Sequence, residues 1–287
     1  MGSLRETKNR IVSVQNTLKI TSAMKLIASA KFHQSQIAVK KVQMYEKNLR
    51  GLLNGLFEGR DGLEFVYTNV RPVKRVALVP FSSDTGLCGS FNSNVLKEVE
   101  LLIGNYHQEG AEVLLYPVGE KVTHSLVRAG YPIQEDGRRL LDKPSTNKCR
   151  AFGITLMKAF HTGEIDKVVI VYHKLKSASR QMLTQEVLLP YVLPKDETPI
   201  KPQYLMTEPS PVSFLKLVFP QVLTIRLYQA VSDSLVSEHA ARMTAMQIAT
   251  DNANDLLKEL TILYNKTRQQ AITAEILDLV GGRIRRH

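Results

Sequence analysis

The chain has 287 residues, enough for two folded units or for one unit flanked by long extended elements. At 44% hydrophobic and 23% charged residues its composition is that of an ordinary globular protein, which excludes wholesale disorder and collagen-like or mucin-like repeats. The net charge of +11 is concentrated: residues 1–50 hold ten Lys or Arg and only two acids, Glu6 and Glu46.

From Leu4 to Phe57 there is no proline, and the only glycines are Gly51 and Gly55, so one helix of about 75 Å is permitted at 1.5 Å per residue. Ile11, Val14, Leu18, Thr21, Lys25, Ala28, Phe32, Ser35, Val39 and Val42 recur at alternating steps of three and four. That spacing predicts a coiled-coil seam, weakened by Lys25 and by its small or polar members. The basic excess on the same segment attracts a polyanion: nucleic acid, anionic lipid or an acidic face on another protein. A solvated helix face is the plainer reading of those charges.

The middle of the chain changes to short β-rich runs, Arg75 to Pro80, Val113 to Pro117, Val168 to Tyr172 and Val187 to Val192. Helical stretches are expected between them at Asn92 to His107, Glu120 to Ala129 and Cys149 to Thr162. Such alternation predicts an α/β layer with at least some parallel strands. Pro190, Pro194, Pro199, Pro202, Pro209 and Pro211 mark an exposed connector.

A second long helix follows, starting near Ser213 or just beyond Pro220 and expected to stop at Gly281 and Gly282. Its seam is read at Met246, Ala249, Ala253, Leu256, Leu260, Leu263, Thr267, Gln270, Ala274 and Leu277, with His239 and Arg242 in seam positions upstream. Polar groups there need partners or face another subunit. The predicted fold is therefore α/β: a long antiparallel coiled coil of the N- and C-terminal helices (residues 1–57 and 212–287) with an inserted central Rossmann-like α/β domain (residues 74–211, including a proline-rich loop). The second helix exceeds the first by roughly ten residues, about 15 Å of unpaired helix. Ile272, Ile276, Leu279 and Val280 on that end require a surrounding sleeve.

Apolar runs such as Val76 to Phe81 fall far short of the roughly 18 residues that cross a bilayer, and Met1 to Arg10 is too polar for a signal peptide. The two cysteines, Cys88 and Cys149, suit free thiols in a reducing compartment. There is no G-x-x-x-x-G-K-[ST] phosphate loop, no G-x-G-x-x-G, no H-E-x-x-H and no G-x-S-x-G elbow. No catalytic residue, cofactor or metal ligand is predicted. One loop stands out after the first central strand, Ser82 to Asn92. Its Gly86 and Gly89 either present amides to an anion or make a tight turn, and without a lysine a structural or docking role is favoured over catalysis.

Four segments together resemble the F-type ATP synthase gamma subunit family. Residues Ile11 to Lys25 are similar to its opening helix; Asp84, Gly86, Leu87, Cys88 and Gly89 match its D-R-G-L-C-G loop; Glu238 to Ala253 and Tyr264 to Gly282 match its C-terminal signature. The resemblance implies a rotating central shaft, not itself catalytic, within a hexamer of alternating alpha and beta subunits. Its foot would rest on the membrane c-ring beside an epsilon subunit. A position at the cytoplasmic face of a bacterial plasma membrane is preferred to a mitochondrial one. It also implies beta-subunit contacts at Met24, Lys25, Arg242, Gln269, Thr273 and Glu275, and a rotor-ring foot at Tyr204 and Glu208. Thr85 stands where the family usually has arginine, removing that charge from the loop, and Gly282 replaces the usual alanine, favouring fraying of the tip. The rival readings are a basic coiled-coil nucleic-acid binder, which lacks a recognised reading helix, and an α/β enzyme, which lacks a phosphate loop.

Overall fold

The structure is a computed structural model and describes residues 4–57, 65–135, 137, 140–141, 144–192 and 210–284. Two helices dominate it, α1 (Leu4–Phe57) and α5 (Pro211–Ile284). Between them come a 3-10 turn at Val66–Thr68, then β1 (Arg75–Pro80), α2 (Phe91–Gln108), β2 (Glu112–Leu115), α3 (Glu120–Arg128), α4 (Thr146–Thr162), β3 (Lys167–Ser177) and β4 (Arg180–Leu189). The chain divides into two compact units, Met1–Ala28 with Met243–His287, and Ser29–Arg242.

The larger unit is built on a four-stranded sheet of order β2-β1-β3-β4. β1 pairs in parallel with β2 and β3, whereas β3 and β4 form an antiparallel hairpin. A strand covered on both faces reads as a continuous apolar run, and β1 does so because successive side chains serve two cores. Val76 and Leu78 join Val95, Val99 and Leu102 of α2 and Leu126 of α3 on one face. Ala77 and Val79 join Phe152 and Leu156 of α4, Phe219, Leu223 and Leu227 of α5, and Leu49 and Leu53 of α1 on the other. Near the α5 end of this second core, Phe219 stacks on Tyr67 at 4.9 Å and meets Phe65 and Tyr191 edge-on at 5.0 and 5.6 Å.

Helix ends follow local chemistry. Ser145 caps α4 by accepting a hydrogen bond from the Lys148 amide, and Gly163 ends it with φ +77°, the left-handed conformation that glycine adopts without a Cβ clash. β4 begins at Arg180, seven residues before the apolar run read from sequence, because its first half is an edge segment of alternating polar side chains. α5 starts at Pro211 and runs through Pro220, which removes the amide that would bond the Lys216 carbonyl and sets its ring against that carbonyl. The helix stop expected at Gly281 and Gly282 is not observed, since α5 continues to Ile284. Glycine weakens a helix by about 1 kcal/mol relative to alanine but ends it only where the backbone turns left-handed.

In the larger unit α1 and α5 run antiparallel: Phe32 and Val39 pack with Val236 and Ala240, and the Gln43 side chain donates to Asp233 Oδ1 at 3.3 Å. The smaller unit has the same sense. Thr250 Oγ1 donates to Thr21 Oγ1 at 2.9 Å, and Thr7 and Arg10 share a groove with Leu260, Leu263 and Thr267. On α1 the seam residues lie on the protected side, with Thr21, Ala28, Phe32 and Val39 buried. On α5 the heptad positions Met246, Ala253 and Leu260 are buried as expected, but the row between them is displaced by one residue. Leu257 and Tyr264 are partly protected, while Leu256 and Leu263 are 45% and 49% exposed. Both candidates at each step are apolar or aromatic, so spacing alone does not choose between them. No helix among the described residues is long and apolar enough to cross a membrane.

Candidate functional site

The loop after β1 sits where parallel strands of an α/β sheet end, beside the start of α3, a place where many folds bind phosphate. Here the chain's own oxygens take the amides of the first turn of α3. Asp84 Oδ1 accepts from the Glu120 amide at 3.1 Å, the Ser83 carbonyl from Lys121 at 3.1 Å, and Ser82 Oγ from Val122 at 3.0 Å. Gly119 at φ +99° allows this approach, because a Cβ there would lie 2.6 Å from the Ser82 carbonyl oxygen. The loop thus supplies the negative end that the helix dipole favours and leaves no cradle for a phosphate.

Further bonds fix the rest of the loop. The Asn92 side chain accepts from the Ser83 amide at 3.0 Å and donates to Cys88 Sγ at 3.3 Å, while Ser83 Oγ donates to the Thr85 carbonyl at 2.6 Å. Cys88 is buried beneath these bonds. Leu87 holds a left-handed φ of 63° and is 63% exposed, an unusual conformation for a large side chain. It presents an apolar tip at the outer edge of the loop.

Arg242 on α5 closes the arrangement. Its Nη2 donates to Thr85 Oγ1 at 2.9 Å, to the Thr85 carbonyl at 3.2 Å and to the Gly86 carbonyl at 3.3 Å. Its Nη1 pairs with Glu238 Oε1 at 2.6 Å, the two side chains being 12% and 9% exposed. The charge that Thr85 lacks is therefore brought to the loop from α5. We refer to this contact as the latch. A cavity of about 670 Å³ lies beside it, with Lys31 and Gln34 of α1, Asp84, Glu238 and His239 among its walls. Burial raises the Glu238 carboxyl above the usual range against the opposing pull of Arg242. Burial, then Arg242 and Lys31, lower His239 to about 4, so its imidazole is neutral near pH 7.

The buried polar run of α5 extends below the latch. Ser237 Oγ donates to the His173 carbonyl at 3.1 Å, and Asp233 is 1% exposed, its Oδ2 lacking a hydrogen-bond partner among the described residues. Burial pushes Asp233 up to about 6 from 3.8 despite Lys174, Gln229 and Gln43. A carboxyl raised on folding contributes most below its unfolded value, and that contribution is lost as pH rises through about 6. Asp233→Asn keeps the acceptor for Gln43 and is expected to stabilise the protein at pH 7.5 by up to about 3 kcal/mol. The gain should shrink toward zero as pH falls to about 4. Urea unfolding across that range checks it, and a pH-independent difference counts against it.

The remaining residues expected from sequence lie in the smaller unit or outside the described residues. Met24 and Lys25 are partly exposed on α1. Gln269, Thr273 and Glu275 are exposed on α5, where Thr273 Oγ1 donates to the Gln269 carbonyl at 2.9 Å. Tyr204 and Glu208 lie outside the described residues. The structure brings Arg242 together with Asp84, Gly86 and Thr85; Met24, Lys25, Gln269, Thr273 and Glu275 share the smaller unit without a bond between those on α1 and those on α5. Glu238, the partner of Arg242, lies four residues before it, the spacing of a helical ion pair and the one signal in the sequence that marks it.

Comparison with known proteins gives one consistent result. The family profile described as ATP synthase matches residues 3–283. Curated relatives called ATP synthase gamma chain include one from Parabacteroides distasonis, 43% identical, with 98% of each chain covered. Another, from Bacteroides fragilis, is 45% identical and covers 98% of this chain and 99% of its own. The fold is similar to a chain of the Euglena gracilis mitochondrial ATP synthase, with a TM-score of 0.70, 18% identity and coverage of 99% and 94%. It is also similar to a chain of the Tetrahymena thermophila mitochondrial ATP synthase central stalk and c-ring, with a TM-score of 0.60, 22% identity and coverage of 80% and 99%.

Proposed function

Because the chain belongs to the ATP synthase gamma-chain family, we propose that it is the central-stalk rotor subunit of a proton-translocating F-type ATP synthase. In this role it turns inside a hexamer of three alpha and three beta subunits and carries ion flow through the membrane c-ring into conformational change at the beta-subunit catalytic sites. It performs no catalysis alone. The nucleic-acid reading of the basic N-terminal segment gives way to this one, since the family match covers that segment as well.

The observation that carries the proposal is the uncovered apolar surface of the paired helices in the smaller unit. Ile20 and Leu26 on α1, and Ile262, Leu263, Ile276 and Leu277 on α5, are all 49% exposed or more. Exposed apolar side chains repeated along paired helices suit a protein interface, and a greasy surface suits a bearing. Basic residues on α1 facing acidic levers of the beta subunits add attraction without locking, since exposed ion pairs are worth only about 0–1 kcal/mol and exchange during rotation. Within that frame Met24 and Lys25 face an acidic beta-subunit lever. Gln269 bonds the lower beta loop, and Arg242 reaches it by exchanging its bonds to Thr85 and Gly86 for that partner; Thr273 and Glu275 lie on the enclosed end, and Tyr204 and Glu208 belong to the foot on the c-ring beside epsilon. Loop residues Asp84, Gly86, Leu87, Cys88 and Gly89 form a docking element that the latch couples to α5. The complex is peripheral on this side of the membrane. Its bacterial relatives favour the cytoplasmic face of a bacterial plasma membrane over a mitochondrial matrix.

Reconstitution tests the reading directly. Mixing the purified chain with alpha and beta subunits is expected to yield a complex of three alpha, three beta and one copy of this chain, with ATP hydrolysis far above that of alpha and beta alone. Failure to assemble, together with salt-sensitive retention on DNA, would overturn it in favour of the nucleic-acid reading.

A further inference from the structure

The larger unit carries a second concavity, of about 510 Å³, within the size range of small-molecule sites. Three helices wall it. α1 contributes Lys41, Val42 and Tyr45, α4 contributes Arg150, and α5 contributes Ile225 and Tyr228. Among the described residues that line it there is no carboxylate. Lys41 and Arg150 are both exposed, and among the described residues neither makes an ion pair or a side-chain hydrogen bond. Two uncompensated cations across a concave surface raise the local potential and draw in an anion. Between them Val42, Ile225 and the two tyrosine rings offer apolar area that a fully hydrated inorganic ion does not use.

We infer that this groove binds a small amphipathic anion, with a carboxylate, sulfonate or phosphate head held by Lys41 and Arg150 and an apolar or aromatic body lying over Tyr45, Tyr228, Val42 and Ile225. The guanidinium fork of Arg150 suits a bidentate contact with such a head, and Lys41 adds a point charge. Head and body are both required: the head supplies orientation and the body supplies desolvated area. The site does not depend on the role of the chain in a larger assembly.

The test uses the purified full-length chain and 1-anilinonaphthalene-8-sulfonate, an aromatic body with an anionic head. N-phenyl-1-naphthylamine, the same body without the sulfonate, is the control. A saturable component of the fluorescence titration is expected for the sulfonate, and the neutral probe should bind at least about tenfold more weakly. In the double variant Lys41→Gln with Arg150→Gln, the sulfonate affinity should fall by about tenfold or more. These positions are exposed, so circular dichroism and the melting temperature should not change. Laurate and adenosine monophosphate then compete with the bound sulfonate and distinguish an aliphatic acid from a nucleotide as the natural chemistry; displacement by either supports the site. Equal affinity for the two probes, equal affinity in the double variant, or displacement by neither competitor overturns it.

Discussion

Alanine at Glu238 should destabilise the protein by about 3 kcal/mol, because it strands the Arg242 guanidinium where only 12% of the side chain meets water. Glu238→Gln should cost less, since its amide oxygen still accepts from Nη1. Arg242→Ala should have a comparable effect but a different pH profile. With the guanidinium gone, burial raises the Glu238 carboxyl further, so the loss grows as pH rises from 5 to 8. Thr85→Ala alone should cost about 1 kcal/mol, and very little more once Arg242 is already alanine. Urea denaturation of the four variants and the Thr85/Arg242 double variant gives the coupling. Additive losses, or single losses below about 0.5 kcal/mol at Glu238 and Arg242, would mean that the latch holds nothing.

Phe219→Ala should cost about 3–5 kcal/mol, the usual range for removing a fully buried ring. Phe219 is 0% exposed and touches Phe65, Tyr67 and Tyr191, three rings that come from two separate parts of the chain. The Tyr191 amide also donates to the Tyr67 carbonyl at 2.7 Å, so these segments are joined by backbone as well as by rings. A cavity at their centre therefore loosens α5 from the sheet's second core rather than collapsing. Phe219→Leu should cost about 1.5 kcal/mol or less, since much of the volume is retained. Equal losses for the two variants would show that bulk without the ring recovers nothing, so that retained volume is not what stabilises this site.

The strands and helices around the sheet were legible because their signals are local. β1 has the same bounds by sequence and by structure, and α3 differs at its end by one residue. The polar start of β4 is not legible in the sequence, because an edge strand that buries little carries no apolar run. The oddity of Arg242 in a seam was visible. Its engagement with Thr85 was not, since the two residues are 157 positions apart and no periodicity links them. The filled amides at the start of α3 were hidden for the same reason: Asp84 and Glu120 come together only after β1 and β2 pair in parallel.

By itself the sequence determined a long proline-free helix at the start, a second long helix at the end, a sheet with parallel strands between them, and family membership through motifs at both ends and in the middle. Tertiary structure decided which of two adjacent apolar rows α5 turns inward, Leu257 and Tyr264 rather than Leu256 and Leu263. It also decided that the basic group beside Thr85 comes from α5. Backbone periodicity is written into neighbouring residues, but a choice between two equally apolar faces, or between a turn and its distant partner, depends on what packs against them.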